Sequence, residues 1–214
     1  MSTQPTPQTT STLDSVIESL PRSTPNSLTF ARVAAVPFVA GFIFMEGWWW
    51  QVAAFVLFIA ASLTDFLDGY LARAMKAQSN LGQMLDPIAD KLLVVAAIAA
   101  LLTAGQIGPW AFWAALIILC REIFISGLRE FLGSREVNVP VTWVAKIKTA
   151  VQMTAIAVLI LAPAFAGVRY DIGLGMGLDV ALDLAGTALL WMAAGLTAYT
   201  GLVYLNASTE HLKD

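Results

Sequence analysis

Residues 65–90 read DFLDGYLARAMKAQSNLGQMLDPIAD and place four aspartates beside long apolar segments. The fixed positions follow the pattern Asp-x2-Asp-Gly-x2-Ala-Arg-x8-Gly-x3-Asp-x3-Asp. Each carboxylate costs about 2.5 kcal/mol or more to insert into hydrocarbon, so four of them close together require a compensating partner. A divalent cation is the simplest such partner, and the stretch therefore predicts a metal site in a membrane protein.

The composition of the 214-residue chain lies outside the range of soluble globular proteins. Hydrophobic residues make up 58% and charged residues 13%, with a mean hydropathy of +0.73. The apolar residues form blocks near the roughly 20 residues that a helix needs to cross a bilayer. We predict an all-α polytopic membrane protein with six transmembrane helices, at about Leu28–Met45, Trp50–Arg73, Gly82–Leu102, Trp110–Phe131, Trp143–Phe165 and Val180–Leu205.

The twelve Lys and Arg residues predict the orientation of these spans. Arg169 falls in a connection on one side. The other eleven fall on the opposite side, at Arg22, Arg32, Arg73, Lys76, Lys91, Arg121, Arg129, Arg135, Lys146, Lys148 and Lys213. Because cytoplasmic loops are enriched in Lys and Arg, both termini and the aspartates are predicted to be cytoplasmic.

Three regions differ in composition: residues 1–25, 26–206 and 207–214. The first is rich in Ser, Thr, Gln and Pro, and we expect a flexible N-terminus rather than a signal peptide. Apolar residues recur within it at helical spacing and predict a short amphipathic interfacial helix, at Leu13, Val16, Ile17 and Leu20. The second is the predicted six-span domain, and the third a cytoplasmic tail.

Single residues complete the picture of a membrane protein. Tryptophans 48–50, 110 and 143 lie at predicted span ends, where their amphipathic rings favour the headgroup region. Cys120 is the only cysteine, so an intramolecular disulfide is excluded, and within its apolar run it is predicted to be a small buried hydrophobe.

On a helix, Asp65, Asp68, Gly69, Ala72 and Arg73 form one stripe, at i, i+3, i+4, i+7 and i+8. The glycine and the alanine leave this stripe without bulk, so an extended phosphate-bearing ligand could lie against the backbone. The stripe thus predicts a groove with carboxylates at one end and a guanidinium at the other.

Asp86 and Asp90 repeat the arrangement at i and i+4 on the next helix, and Gly82 lies one turn earlier on the same face. Two helices would then present two carboxylates each. Such an oxygen-rich set suits Mg2+ or Mn2+, and two ions about 3.5 to 4 Å apart would use the bridging capacity of carboxylates. No His or Cys lies nearby, which argues against zinc.

Two other interpretations of the aspartates explain the sequence less well. Ion pairs with Arg73, Lys76 and Lys91 would leave one negative charge over and would not explain the glycines. A divalent-cation transporter would place its carboxylates near the bilayer midplane on interrupted helices. Here they cluster toward span ends beside Arg73, which would repel a passing cation.

A second polar group follows on the fourth and fifth spans, comprising Arg121, Glu122, Ser126, Arg129, Glu130, Arg135, Lys146 and Lys148. Cations beside a metal site suit a second, anionic substrate, and the candidates for holding its phosphate are Arg121, Arg129, Lys146 and Lys148. We expect only one of the two lysines to face inward, because they lie two residues apart on a helix. Contact with lipid headgroups is the alternative, favoured most at Arg135 and Lys148.

The complete pattern from Asp65 to Asp90 resembles the signature of the CDP-alcohol phosphatidyltransferases, with no departure at a defined position. The resemblance implies a six-span fold, a homodimer and two divalent cations, Mg2+ or Mn2+. It implies transfer of a phosphatidyl or related group from a CDP-linked donor to an alcohol, with release of CMP.

Carried onto this chain, the resemblance makes Asp65 and Asp86 ligands of both metals and Asp68 a ligand of one. Asp90 would bind the other metal and act as the catalytic base. The implied contacts with the CDP donor come from Asn26, Thr29, Gly69, Ala72, Arg73, Ser79 and Gly82.

Longer stretches, at residues 61–65, 85–92, 121–130 and 146–153, resemble the bacterial branch of that family that uses sn-glycerol 3-phosphate as acceptor. The implied reaction converts CDP-diacylglycerol and sn-glycerol 3-phosphate to phosphatidylglycerophosphate and CMP, in the cytoplasmic (inner) membrane. Membrane lipid is the expected surrounding, and no nucleic-acid partner is expected. Serine, inositol phosphate and phosphatidylglycerol stay open as acceptors, because the aspartate pattern is common to all of these transferases.

Overall fold

The structure is a computed structural model that describes residues 24–75, 80–135, 143–166 and 177–209, with the main chain alone at 24–28, 65–75, 80–84, 86, 87, 90 and 134. These ranges contain helices and no strand, which confirms the all-α prediction for the described chain. The helices are α1 (Thr24–Phe44), α2 (Trp48–Met75), α3 (Asn80–Thr103), α4 (Pro109–Ser134), α5 (Trp143–Leu161), a 3-10 turn (Ala162–Phe165) and α6 (Leu178–Ser208).

Each helix begins and ends within a few residues of a predicted span. Three stretches are long and apolar enough to cross a membrane, Pro109–Gly133, Trp143–Phe165 and Leu178–Ser208. In α1 to α3, the described apolar stretches are shorter, at Thr29–Phe44, Trp48–Thr64 and Lys91–Thr103. The chain is therefore a helical membrane protein, and the count of six spans stays a prediction.

A tight turn joins α1 to α2. Gly47 adopts φ 115°, a left-handed conformation that favours glycine. The side-chain amide of Gln51 donates hydrogen bonds to the carbonyl oxygens of Ile43, at 3.3 Å, and Met45, at 3.2 Å. This side chain satisfies carbonyls that the end of α1 leaves without helical partners.

The α3–α4 connection is a Schellman motif. Gly105 adopts φ 71°, its N–H donates to the carbonyl of Leu102, and the N–H of Gln106 donates to the carbonyl of Leu101. Pro109 then occupies the first turn of α4, where its missing N–H costs nothing. These two short connections join α1 to α2 and α3 to α4.

The main core contains residues from all six helices, and alanines are frequent in it. Small side chains let membrane helices approach closely. One close approach involves Gly186 of α6, where a Cβ atom would lie 2.8 Å from side-chain atoms of Leu159 on α5. The largest apolar core residues include Ile43, Phe58, Leu93, Leu101, Ile118, Ile156, Ile160 and Leu190.

Large apolar side chains cover the outer surface of the helices. Trp49, Trp110 and Trp143 are 75%, 81% and 73% exposed, and they lie at the starts of α2, α4 and α5, as predicted. Cys120 is exposed on α4, so the prediction of a buried cysteine is wrong. An apolar run in a membrane helix does not distinguish the packed face from the lipid face, since both are apolar.

Some predictions lie outside the described residues. They are the interfacial helix of residues 13–20, Ser79 and residues 210–214. The side chains of the four aspartates, Asn26, Gly69, Ala72, Arg73 and Gly82 also lie outside, although the main chain of these residues is helical.

Candidate active site

A cavity of about 1150 Å³ lies among α2, α3, α4 and α5. One part of its wall is cationic and contains Lys91, Arg121, Arg129, Lys146 and Lys148. Another part is apolar and contains Phe55, Ile59, Leu63, Ile125, Ala157 and Val158. The cavity therefore combines an anion-attracting surface with an apolar one.

The helices that carry the aspartates contribute to this cavity. Ser62 lines it from α2, and Asp65 follows Ser62 by three residues in the same helix. Lys91 lines it from α3, directly after Asp90. Helical spacing predicts each aspartate pair on one face of its helix, and both helices contribute residues to the cavity wall. Their roles as metal ligands stay predictions.

Arg121 lies partly buried between α4 and α6, with 16% of its side chain exposed. Its Nη2 donates a 3.0 Å hydrogen bond to Oγ1 of Thr200. Its Nη1 lies 3.7 Å from Oε1 of Glu122, and its buried Nε has no hydrogen-bond partner among the described atoms. The hydrogen bond to Thr200 thus holds the guanidinium in place. The group also lines the cavity and has further N–H donors, since a guanidinium has five.

The carboxylate of Glu122 forms an ion pair with the ammonium group of Lys148, a buried residue on α5. This ion pair joins α4 to α5 at the cavity wall. The headgroup alternative for Lys148 does not fit a side chain that is 7% exposed. Since the carboxylate is engaged by Lys148, it balances little of the charge on the other cations.

The remaining candidates also line the cavity. Arg129 is exposed, and its guanidinium lies 5.8 Å from the centre of the Tyr204 ring on α6. Lys146 is exposed at the start of α5 and borders the cavity together with Lys148, so the expectation that only one lysine faces it is wrong. The physical reason is length, since the long side chain of Lys148 reaches across to Glu122 on α4.

Charge over the described part of the wall is unbalanced. Five cationic side chains and one carboxylate line the cavity among the described residues, and of the five cations Lys91 and Lys148 have interaction partners. Ser126 adds a hydroxyl group to the same wall. A cavity of this kind attracts a phosphate-bearing ligand, because cations and hydroxyl groups both serve its oxygens.

Two other sequence-predicted residues lie outside this wall, Thr29 on α1 and Arg135 directly after α4. Thr29 is 2% exposed and has an interaction partner, so it fits an ordinary packed position as well as a donor contact. Arg135 lies over the Phe131 ring, 4.7 Å from its centre, and is not part of the cavity wall. Headgroup contact stays the better interpretation of Arg135.

Sequence reasoning missed Thr200, which α6 brings to Arg121. The available signal was the repeat of polar or small residues on one face of an apolar helix, at Thr197, Thr200, Gly201, Tyr204 and Ser208. Such a pattern also serves ordinary helix packing, so the sequence alone gives it no function.

An all-helical membrane protein with a cationic cavity beside two carboxylate-bearing helices defines a class of enzyme that handles phosphate-bearing substrates in a bilayer. Residues 22–199 match the family described as CDP-alcohol phosphatidyltransferase. The match covers most of the chain, and the chain belongs to this family. It is a membrane-embedded phosphatidyltransferase of phospholipid biosynthesis, as the aspartate pattern indicated.

Three proteins similar to this chain carry two different names. A CDP-diacylglycerol–glycerol-3-phosphate 3-phosphatidyltransferase of Cereibacter sphaeroides is 39% identical over 90% of this chain and 98% of its own. The protein of that name from Rickettsia bellii is 41% identical over 87% of this chain and 96% of its own. A cardiolipin synthase (CMP-forming) of Oryza sativa is 38% identical over 85% of this chain and 56% of its own.

Proposed function

We propose that this protein transfers the phosphatidyl group of CDP-diacylglycerol to sn-glycerol 3-phosphate, giving phosphatidylglycerophosphate and CMP. The observation that carries the proposal is the excess of cationic side chains around a cavity next to the aspartate-bearing helices. An acceptor that carries its own phosphate requires cations that an uncharged alcohol does not. The names of the two bacterial relatives agree with this acceptor.

The four aspartate carboxylates suit a pair of divalent cations. Four carboxylates on two neighbouring helices supply hard oxygen ligands with the capacity to bridge, and the residues that would hold Mg2+ or Mn2+ are Asp65, Asp68, Asp86 and Asp90. When bound, such cations would neutralise the pyrophosphate and polarise the phosphorus under attack. Gly69, Ala72, Arg73 and Gly82 would hold the cytidine diphosphate, with Asn26, Thr29 and Ser79 as further contacts.

Asp90 would accept the proton of the 1-hydroxyl group of sn-glycerol 3-phosphate. The hydroxyl oxygen then bonds to the phosphorus that carries diacylglycerol, and the bond from that phosphorus to CMP breaks. Arg121, Arg129 and Lys146 would hold the acceptor phosphate during this transfer. We assign Lys148 a smaller part, because its ammonium group is bound to Glu122.

The apolar part of the cavity wall supports a lipid substrate. Phe55 and Ile59 of α2 face the same cavity as Ala157 and Val158 of α5. Acyl chains next to these side chains would stay in an apolar environment while the diphosphate lies near the cations. A water-soluble donor would not use such a wall.

The membrane arrangement is also a proposal. We infer that the chain has six spans and forms a homodimer. Both termini and the active site would lie on the cytoplasmic side of the inner membrane. The support is the distribution of Lys and Arg, eleven against Arg169 alone, together with the resemblance for the dimer. The orientation can be tested by labelling two variants of a Cys120→Ser protein, one with Lys76→Cys and one with Arg169→Cys. In sealed vesicles of one orientation, the two cysteines should be accessible to a membrane-impermeant reagent from opposite sides.

The second candidate acceptor is phosphatidylglycerol. The cardiolipin synthase name of the rice relative favours it, and phosphatidylglycerol is an anion that the same cations would attract. Inositol phosphate is also an anion, but no relative named above favours inositol phosphate or serine. Cation transport is set aside, because the chain belongs to a family of transferases.

CMP release from purified protein tests the proposal. The assay supplies CDP-diacylglycerol and Mg2+ with sn-glycerol 3-phosphate, phosphatidylglycerol, inositol phosphate or serine in separate reactions. Release with sn-glycerol 3-phosphate alone supports the proposed reaction. Release with another acceptor alone would keep the transfer chemistry and contradict the acceptor assignment.

A further inference from the structure

The side chain of Arg121 rests against two consecutive residues of α6. Its Nη2 donates to Oγ1 of Thr200 at 3.0 Å. At Gly201, a Cβ atom would lie 3.0 Å from Cγ and 3.2 Å from Nε of Arg121. A side chain at position 201 would therefore press on the arginine, and glycine leaves the space that its stem occupies.

The hydroxyl group of Thr200 is oriented to accept. It can donate its own hydrogen to the carbonyl of Leu196, at 2.9 Å, or of Thr197, at 3.1 Å. Its oxygen then presents a lone pair to Arg121 across the helix interface. The hydroxyl thus anchors the guanidinium without neutralising its charge, whereas a carboxylate at this place would form an ion pair with it.

Arg121 has a second partner in Glu122, whose Oε1 forms an ion pair with Nη1 at 3.7 Å, longer than the 3.0 Å hydrogen bond to Thr200. A guanidinium released from Thr200 would be drawn to this carboxylate, which lies in the same cavity wall. Tyr204, one turn after Thr200, lies near Arg129, whose guanidinium is 5.8 Å from the centre of the tyrosine ring. The inner face of α6 therefore contacts both arginines of α4 that line the cavity.

We propose that Thr200, with Gly201 beside it, is a positioning residue that holds Arg121 in place to bind the phosphate of the acceptor. This inference rests on the proposed function, in which Arg121 holds the phosphate of sn-glycerol 3-phosphate. It assigns a role to α6, which carries neither an aspartate of the metal pattern nor a lysine or arginine of the cavity wall.

Steady-state kinetics of CMP release test the proposal with Thr200→Val, which keeps the shape and removes the hydroxyl group. We expect KM for sn-glycerol 3-phosphate to rise about tenfold, with KM for CDP-diacylglycerol within about twofold of the wild-type value. Thr200→Ser keeps a hydroxyl group and should restore most of the affinity. Equal changes in both KM values, or no rescue by serine, would overturn the proposal.

Matched controls lie on the same helix. Thr197 is buried one turn earlier, and its hydroxyl has no hydrogen-bond partner among the described atoms, so Thr197→Val should leave both KM values unchanged. Gly201→Ala should raise KM for sn-glycerol 3-phosphate. Gly195→Ala should not, since a Cβ atom there meets nothing within 4 Å. Thermal unfolding of each variant in detergent separates a folding defect from a local one.

A double-mutant cycle decides whether Thr200 acts through Arg121. In an Arg121→Lys background, adding Thr200→Val should change KM for sn-glycerol 3-phosphate by less than about twofold. A full tenfold change in that background would contradict positioning through Arg121. Wild-type protein that turns over only a different acceptor would remove the proposed function and this inference together, whereas normal wild-type kinetics with an inert Thr200→Val removes the inference alone.

Discussion

The ammonium group of Lys148 on α5 binds the carboxylate of Glu122 on α4, and both side chains lie largely out of contact with solvent. This pair forms part of the cavity wall, and Glu122 lies closer to Lys148 than to Arg121, which it approaches to 3.7 Å. Each of the two charges compensates the partial desolvation of the other, and removing either one would leave the remaining charge with less compensation.

Lys148→Met should destabilise the protein by about 2 kcal/mol, because Glu122 loses the nearer of its two cations. The freed carboxylate should also attract Arg121, raising KM for sn-glycerol 3-phosphate several-fold. Glu122→Gln in the Lys148→Met background should recover part of the stability. Thermal unfolding and CMP release measure both effects. Lys146→Met is the matched stability control, since Lys146 is exposed. Equal destabilisation by this control would show that the ion pair has no special role.

Asp90→Asn should lower kcat by about 100-fold or more, because the amide cannot accept the proton of the acceptor hydroxyl group. Binding of CDP-diacylglycerol should persist, since the substitution keeps the size of the side chain. Single-turnover CMP release and lipid binding measure the two properties. Asp183→Asn is the control, a carboxylate on α6 outside the cavity wall, and it should retain activity. Near-normal turnover by Asp90→Asn would remove Asp90 from its proposed role.

Removal of divalent cations with EDTA should abolish CMP release, because the four aspartates would then repel the diphosphate that they are proposed to hold through metal ions. Added Mg2+ or Mn2+ should restore activity. Zn2+ should not, since the predicted site contains neither His nor Cys. Full activity after exhaustive EDTA treatment would contradict the metal assignment. Thermal unfolding with and without Mg2+ provides a readout that is independent of turnover.

Gly186→Ala should destabilise the protein by about 1 to 3 kcal/mol, because the new methyl group would lie 2.8 Å from Leu159 at the α5–α6 contact. Gly195→Ala adds the same methyl group to the same helix in open space. It should leave stability unchanged or increase it, since alanine is the better helix former. Thermal unfolding in detergent compares the two variants. An equal response would show that the α5–α6 contact is not the cause.

The sequence alone predicted the helix boundaries well, because the Gly, Pro and polar connections interrupt long apolar runs. It also predicted the family, because the aspartate pattern is a local property of two consecutive helices. It was wrong about Cys120, since hydropathy does not tell a lipid-facing position from a packed one. It was also wrong about the two lysines, because helical spacing ignores the reach of a long side chain.

The sequence by itself therefore determined that the chain is a helical membrane protein and a member of this family, and it predicted which carboxylates hold metal. The reason is that apolar length and one-turn spacing act within single helices or between adjacent ones. Only the tertiary structure decided that Lys148 forms an ion pair with Glu122, and that Arg121 donates a hydrogen bond to Thr200 and packs against Gly201. Those pairings join residues far apart in the chain, and they depend on how α4, α5 and α6 pack together.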